Sequence, residues 1–203
     1  MLSQRSRPGK IVTMDEQTAA FPRDSEALRS SAFPLPVKTA LVTGASRGVG
    51  ADVARQLGRL GVDVAVNYRS KTPKAQGVAD DLIAMGRSPI LVQGDITNAG
   101  EIEAMFRKIR EAWVQLDLLV LNASGGLEQD RAADYAMQLN LTAQVNLVLA
   151  SLPLMRRGSR IVFVTSHLAH FHGTGAGYDS YEKVAESKKA GETALREMNS
   201  ESL

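Results

Sequence analysis

A glycine-rich turn beginning at residue 43 is the segment of this sequence best suited to bind an anion. Residues 43–50 read TGASRGVG and directly follow the apolar run ALV. Gly44 lets a buried strand turn out of a sheet, and Gly48 lets the backbone approach a pyrophosphate closely. Gly50 lets the next helix lie close to the strand, so that its free N–H groups and positive dipole end face the phosphates. The segment predicts a dinucleotide-binding turn, although a plain strand-to-helix turn remains the alternative.

The end of the second apolar run indicates which dinucleotide would bind. An acidic residue there accepts from the ribose 2′-hydroxyl of NAD, whereas a cation contacts the 2′-phosphate of NADP. This run ends in Asn67, Tyr68 and Arg69, without a carboxylate. Arg69 and Arg47 supply guanidinium groups, which suit phosphate geometry. The sequence therefore favours NADP(H), the alternative being that both arginines are merely solvated.

The elements that must position these residues alternate regularly from Lys38 onward. Short β-branched runs are separated by longer helical stretches, with capping signals at Thr72 and Asn98. The predicted strands are Thr39–Thr43, Val62–Asn67, Pro89–Gln93, Leu118–Asn122 and Arg160–Thr165. This alternation predicts an α/β fold, a doubly wound, Rossmann-like parallel sheet of about five strands in a single domain. Ligands of such sheets bind beyond the carboxyl ends of the strands.

The composition of the chain excludes several classes of partner and site. The chain has 203 residues, 24 basic and 22 acidic side chains and no cysteine. The net charge of +2 gives no reason to expect nucleic acid or membrane as a partner, and no apolar run reaches the roughly 18 residues of a membrane span. The lack of cysteine excludes disulfides and thiolate metal sites and favours a cytoplasmic protein. Residues 1–36, rich in Ser, Pro and charge, predict a flexible N-terminal tail before the domain at 37–203.

The glycine spacing resembles the short-chain dehydrogenase/reductase family, including members of the 3-oxoacyl-acyl-carrier-protein reductase kind. The resemblance continues at Gly94-Asp95-Ile96-Thr97 and at Leu121-Asn122-Ala123-Ser124, where Leu121 and Ser124 replace an asparagine and a glycine of the family pattern. The cofactor-binding residues that it implies are Thr43, Gly44, Ser46, Arg47, Gly48, Val49, Gly50, Arg69, Asp95, Ile96, Asn122, Ala123, Ser124 and Lys188.

The resemblance also implies a catalytic set of Asn, Ser, Tyr and Lys for hydride transfer between nicotinamide and a carbonyl or secondary alcohol. In the family the tyrosine donates the proton, and the lysine lowers the pKa of that tyrosine and holds the ribose. The serine orients the carbonyl, and the asparagine supports a water relay. Asn140 and Ser166 match the family's asparagine and serine, and Lys188 matches its lysine.

The tyrosine of this set is displaced. The family pattern Tyr-x-x-Ser-Lys places Val184 where the tyrosine should stand. If the helix begins after Tyr181, that phenol lies on a loop and can fold back toward Ser166, so Tyr181 is the preferred acid. Tyr178 is the second choice and Lys183 a substitute cation, while two tyrosines that only pack a loop are the alternative.

Three histidines, His167, His170 and His172, follow the fifth predicted strand without the spacing of a metal site. We expect them to line the substrate mouth or face solvent.

Family members usually continue with a sixth strand, a substrate lid and a seventh strand, whereas the resemblance here covers about residues 37–198. The fifth strand is therefore expected at an exposed sheet edge. The resemblance implies a homo-oligomer, a dimer or tetramer, through the helices beginning near Asp134 and Glu182, and a small-molecule carbonyl substrate. The displaced tyrosine keeps open a non-catalytic, regulatory nucleotide-binding protein and a truncated, inactive reductase fragment.

Overall fold

The computed structural model describes residues 37–128, 132, 134–174 and 178–200, so the predicted tail at 1–36 lies outside it. Strands and helices alternate along this part of the chain, as the sequence predicts. The strands are β1 Thr39–Val42, β2 Asp63–Tyr68, β3 Ile90–Gln93, β4 Leu118–Leu121 and β5 Arg160–Phe163. The helices are α1 Gly48–Arg59, α2 Thr72–Ala84, α3 Ala99–Ala112, α4 Tyr135–Met137, α5 Ala143–Ser151 and α6 Glu182–Ser200. Residues Gln138–Thr142 form a π-helical turn between α4 and α5, and Leu152–Leu154, His167–Phe171 and Asp179–Tyr181 form 3-10 turns.

The five strands form one parallel sheet in the order β3-β2-β1-β4-β5. Successive residues of β1 enter different cores, because side chains alternate across a strand. Ala40 and Val42 lie in the core that α1 and α2 cover, and Leu41 lies in the core around Phe106 of α3. Helices on both faces confirm the predicted doubly wound architecture.

The helix starts follow the capping signals in part. Asn98 caps α3, and its side chain accepts from the backbone N–H groups of Gly100 and Glu101. Thr72, in contrast, is the first residue of α2, and Lys71 occupies the cap position without a side-chain hydrogen bond. The prediction that Thr72 caps its helix is wrong, because the helix extends one residue further toward its amino end.

Strand β5 forms one edge of the sheet, opposite β3. In the part of the chain that the structure describes, it pairs with β4 alone. The expectation of an edge position for this strand is confirmed, and Val162 of β5 is 39% exposed. None of the helices among the described residues combines the length and the apolar character that crossing a bilayer requires.

Candidate functional site

A cleft of about 520 Å³ lies over the carboxyl ends of the first four strands. Segments that follow each of these strands form its walls, as expected for a ligand site in a sheet of this kind. Its lining residues are Gly44, Ser46, Arg47, Gly48, Asn67, Tyr68, Arg69, Ser70, Lys71, Gly94, Asp95, Ile96, Asn122, Ala123, Ser124, Glu128, Tyr135 and Leu139. Most of the cofactor-binding residues predicted from the sequence are among them.

The amino end of α1 opens into this cleft. Its cap residue, Arg47, makes no side-chain hydrogen bond to the helix, and the first turn holds no acidic residue. The free N–H groups of a helix start are an anion site when no side chain occupies them. Gly48 has φ +57°, and a Cβ on it would meet nothing within 4 Å, so the turn is open toward the cleft. These features fit a phosphate of a dinucleotide.

Gly50 lies where α1 packs tightly against the segments that follow β1 and β4. A Cβ on this residue would stand 2.5 Å from Asn122 Nδ2 and 2.7 Å from the Gly44 carbonyl oxygen. No side chain fits at these distances, so the close approach predicted for Gly50 is confirmed. The glycine allows the helix start to lie directly over the strand ends.

Buried polar side chains hold the floor of the cleft together. Thr43 is fully buried, and its hydroxyl oxygen accepts from the backbone N–H groups of Asn122 and Ala123. Asn67 is 2% exposed; its Oδ1 accepts from the N–H of Gly44, and its Nδ2 donates to two carbonyl oxygens at the end of β3. Thr43 therefore lies beneath the cleft and ties β1 to the loop after β4.

A basic rim lies at the β2 end of the cleft. Arg47, Arg69 and Lys71 are exposed and line the cleft. Arg69 Nη1 donates to the Tyr135 hydroxyl at 3.0 Å and lies 3.7 Å from Asp95 Oδ2. Both contacts use one terminal nitrogen of a group that has five N–H donors. The guanidinium thus retains donor capacity toward a ligand in the cleft.

A second cluster, the β5 site, consists of Ser166, Tyr181 and Lys188 near the carboxyl end of β5. Helix α6 begins at Glu182, directly after Tyr181, so this tyrosine lies ahead of the helix as predicted. The phenol oxygen lies 3.5 Å from Ser166 Oγ, a long contact between residues 15 apart in sequence. The 3-10 turn Asp179–Tyr181 folds the tyrosine back over the start of the helix.

Lys188 of α6 is 2% exposed and reaches the same region. Its Nζ donates to the Val164 carbonyl oxygen at 2.8 Å and lies 4.9 Å from the centre of the Phe163 ring. Desolvation by burial lowers the pKa of Lys188 from 10.5 to about 8. A pKa of about 8 still leaves the ammonium form prevalent at neutral pH.

Asn140 lies in the π-helical turn and is fully buried. Its Nδ2 donates to the Gly125 carbonyl oxygen and to Ser187 Oγ, and its Oδ1 accepts from Ser124 Oγ. Asn140 thereby connects the loop after β4 to α6. π-Helical turns are rare and often occur at functional sites.

Three other predicted residues are exposed, and none of them lines the cleft. Tyr178 is 71% exposed, Val49 is 64% exposed, and Lys183 faces solvent. His172 Nδ1 lies 2.6 Å from Glu182 Oε1, which joins the loop after β5 to the start of α6. Among the described residues, no three His, Asp or Glu side chains are grouped to hold a metal ion.

Several residues that the structure brings to the site were not predicted from the sequence, and three of them bond to residues that were. Tyr135 lines the cleft and binds Arg69, Ser187 binds Asn140, and buried Gln144 donates to the Ala123 carbonyl oxygen. Gln144 stands four residues after Asn140, a helical spacing that places both on one face. The sequence therefore contained a signal for Gln144.

The similarity to known proteins agrees with this geometry. Residues 38–201 match the family model described as short chain dehydrogenase. A hydroxynaphthalene reductase of Aspergillus fumigatus is 32% identical over 164 residues, covering 78% of this chain and 58% of that protein. A 3-oxoacyl-acyl-carrier-protein reductase of Staphylococcus aureus is 35% identical over 128 residues, covering 59% of this chain and 51% of that protein.

The chain is also similar to solved structures of short-chain dehydrogenases and ketoreductases. An angucycline C-6 ketoreductase with bound NADP is 31% identical with a TM-score of 0.66, and the match covers 77% of this chain and 64% of that chain. A short chain dehydrogenase from Burkholderia cenocepacia in complex with NADP is 34% identical with a TM-score of 0.66. The match covers 75% of this chain and 63% of that chain. The chain spans less than two thirds of each of these four proteins. With the family model matching most of the sequence, this chain belongs to the short-chain dehydrogenase family.

Proposed function

We propose that this chain is an NADP(H)-dependent oxidoreductase that interconverts a carbonyl and a secondary alcohol. One observation carries the proposal: an uncapped helix start with a basic rim opens over the strand ends, and the β5 site gathers a phenol, a hydroxyl and an ammonium at the end of the neighbouring strand. The relatives named above include ketone reductases and structures with bound NADP. Their names support the reaction class, and the substrate class is a ketone or 3-oxoacyl group.

The proposed division of labour follows from the side chains. A bound nicotinamide supplies the hydride in reduction and accepts it in oxidation. Tyr181 donates its phenol proton to the carbonyl oxygen as that oxygen gains charge, and Ser166 donates a hydrogen bond to the same oxygen. The Lys188 ammonium stabilises the phenolate that remains. Burial strengthens this stabilisation, because a charge is screened less away from water.

The cation set at the cleft rim supports NADP(H) over NAD(H). We propose that Arg47, Arg69 and Lys71 share the 2′-phosphate. Replacing Arg69 or Lys71 by Gln removes one charge-assisted contact and should raise the KM for NADPH about tenfold while leaving that for NADH within about twofold. Arg55→Gln is the matched control, because Arg55 pairs with Asp81 on α2 outside the cleft. Equal effects on both nucleotides would contradict the role in 2′-phosphate selection.

Turnover with labelled cofactor tests the reaction itself. The full chain is incubated with NADPH carrying deuterium at the transferred position and with a panel of aryl ketones and 3-oxoacyl thioesters. Mass spectrometry should detect deuterium at the carbinol carbon of a product, and Lys188→Met should abolish the label. A folded protein that binds neither NADPH nor NADH would reject the proposal.

A non-catalytic nucleotide binder is the second candidate. Val184, only 3% exposed, fills the position of the family's tyrosine and packs into the protein. If NADPH binds in the micromolar range and no ketone of the panel acquires deuterium, this candidate replaces the first. Calorimetry with NADPH separates the two outcomes from a loss of folding.

We also propose a homo-oligomer formed through α5 and α6. Leu149 of α5 is 52% exposed and Leu152 after it is 42% exposed, so large apolar side chains face outward there. Light scattering of the full chain tests this, and Leu149→Glu should shift an oligomer toward the monomer. A monomeric wild-type chain would contradict it.

A further inference from the structure

Ser124 occupies an unusual position between the cleft and the buried interior. Its side chain is exposed and lines the cleft, while its Oγ lies 3.0 Å from Oδ1 of the fully buried Asn140. Asn140 Nδ2 in turn donates to Ser187 Oγ at 3.0 Å. Ser187 is fully buried and immediately precedes Lys188. A continuous path of hydrogen bonds therefore runs from the cleft wall to the helix that carries the lysine.

The donors and acceptors of this path admit one arrangement. The Ser187 hydroxyl has a single proton, which it donates to the Val184 carbonyl oxygen, so toward Asn140 it can only accept. The Gly125 carbonyl oxygen also accepts, and both amide hydrogens of Asn140 are thereby used. Asn140 Oδ1 then faces Ser124, whose hydroxyl is the donor to it. Removing that hydroxyl leaves a fully buried amide oxygen without the donor that orients it.

We propose that Ser124 is a positioning residue that couples the cofactor cleft to the alignment of Lys188 through Asn140 and Ser187. A ligand lying over Ser124 shields its hydrogen bond from water and strengthens it. The strengthened bond fixes the Asn140 amide, and the amide fixes Ser187 and the adjacent turn of α6. The inference rests on the proposed function, because alignment of Lys188 matters only if the lysine assists proton transfer.

Substitutions at Ser124 test this role. In the full chain, Ser124→Ala should lower kcat by roughly tenfold, in line with the loss of one donor to a buried acceptor. Ser124→Thr keeps the hydroxyl and should restore kcat to within about twofold of wild type. Ser151→Ala is the matched control: Ser151 is a fully buried serine that bonds to the Val148 carbonyl oxygen and is not part of the path. It should lower the melting temperature and leave kcat unchanged.

Coupling along the path is tested by a double variant. Ser187→Ala and Ser124→Ala interrupt the same path, so the double variant should be no slower than the slower single variant, whereas independent effects would multiply. An unchanged kcat in Ser124→Ala, a failure of Ser124→Thr to recover, or multiplying effects would each overturn the role of Ser124 while leaving the proposed function intact. A wild-type chain without any turnover of NADPH would overturn the proposed function first, and the positioning role with it.

Discussion

The cleft and the β5 site are built in opposite ways. In the cleft, backbone N–H groups at the start of α1 are left without a side-chain cap, and exposed cations line the same cleft. In the β5 site, the polar side chains already contact the protein: Tyr181 meets Ser166, and Lys188 donates to the Val164 carbonyl oxygen. The cleft offers its donors to a ligand, while the β5 site must exchange existing contacts for new ones.

The two sites are therefore sensitive to different substitutions. A site made by backbone depends on glycines, because the close approach of helix and strand sets its geometry. A site made by side chains depends on where a helix begins, because that decides which residue folds back over its first turn. In the proposed mechanism Tyr181 takes the place of the residue at 184, because α6 begins at Glu182 and leaves Tyr181 on the preceding turn.

The largest effect is expected at the tyrosine of the β5 site. Tyr181→Phe removes the proposed proton donor and should lower kcat by about two to four orders of magnitude, the usual contribution of general acid catalysis. Tyr178→Phe is the control, since Tyr178 is 71% exposed, and its rate should stay within about twofold of wild type. Steady-state kinetics with NADPH and a ketone substrate measure both. Equal rates for Tyr181→Phe and wild type would remove Tyr181 from the mechanism.

Two glycine substitutions compare the regions directly. Gly50→Ala puts a Cβ 2.5 Å from Asn122 Nδ2, and Gly191→Ala puts one 2.2 Å from the Asn140 carbonyl oxygen. Each should lower the free energy of unfolding by about 2–3 kcal/mol, the scale of overpacking. Gly50→Ala should mainly weaken NADPH binding, and Gly191→Ala should mainly lower kcat.

Gly77→Ala is the matched control for both glycine variants. A Cβ on Gly77 meets nothing within 4 Å, so alanine in this helical position should stabilise the protein by up to about 1 kcal/mol. Denaturant unfolding and calorimetry with NADPH provide the measurements. If both tight glycines tolerate alanine as Gly77 does, the close helix contacts do not shape the two regions.

Burial of Lys188 should make stability depend on pH. Its pKa is lowered to about 8 in the folded protein from an ordinary value of 10.5, so the unfolded chain binds more protons between these values. Stability contributed by this group therefore rises with pH across that interval, as the penalty for burying the ammonium disappears. Relative to Lys188→Met, wild type should gain about 1.5 kcal/mol between pH 8 and about pH 9.5.

Denaturant unfolding of both proteins at the two pH values checks this prediction. The comparison with Lys188→Met cancels the contributions of groups that the two proteins share. If the free energy of unfolding changed equally in the two proteins between these pH values, Lys188 would have the same pKa in the folded and unfolded states.

The smallest effect is expected for the pair of His172 and Glu182 beside the β5 site. Their side chains are 32% and 44% exposed, so the contact contributes at most about 1 kcal/mol. His172→Ala should lower kcat/KM by less than about fivefold, through looser placement of the turn that carries Tyr181. Glu182→Gln retains a hydrogen-bond acceptor and should change kcat/KM less than His172→Ala does. A hundredfold loss in His172→Ala would indicate direct contact with substrate.

The succession of strands along the chain and the glycine turn at the start of α1 could be predicted from residue types alone. Five apolar runs specified five strands to within one or two residues, because buried parallel strands need continuous apolar segments. The glycine spacing specified the turn into α1, since Gly48 adopts positive φ and Gly50 admits no Cβ. Local backbone requirements of this kind are legible in residue type.

The side-chain contacts of the β5 site and of Asn140 depend on tertiary packing that residue types do not specify. The contact of Tyr181 with Ser166 depends on a 3-10 turn ahead of α6, and the bond of Asn140 to Ser187 joins residues 47 apart. Nor does spacing reveal that Ser124 completes the hydrogen bonds of Asn140. Such contacts arise because the packing of α6 on the π-helical turn fixes which polar atoms meet. Residue type states what a side chain can donate or accept, and the folded arrangement selects its partner.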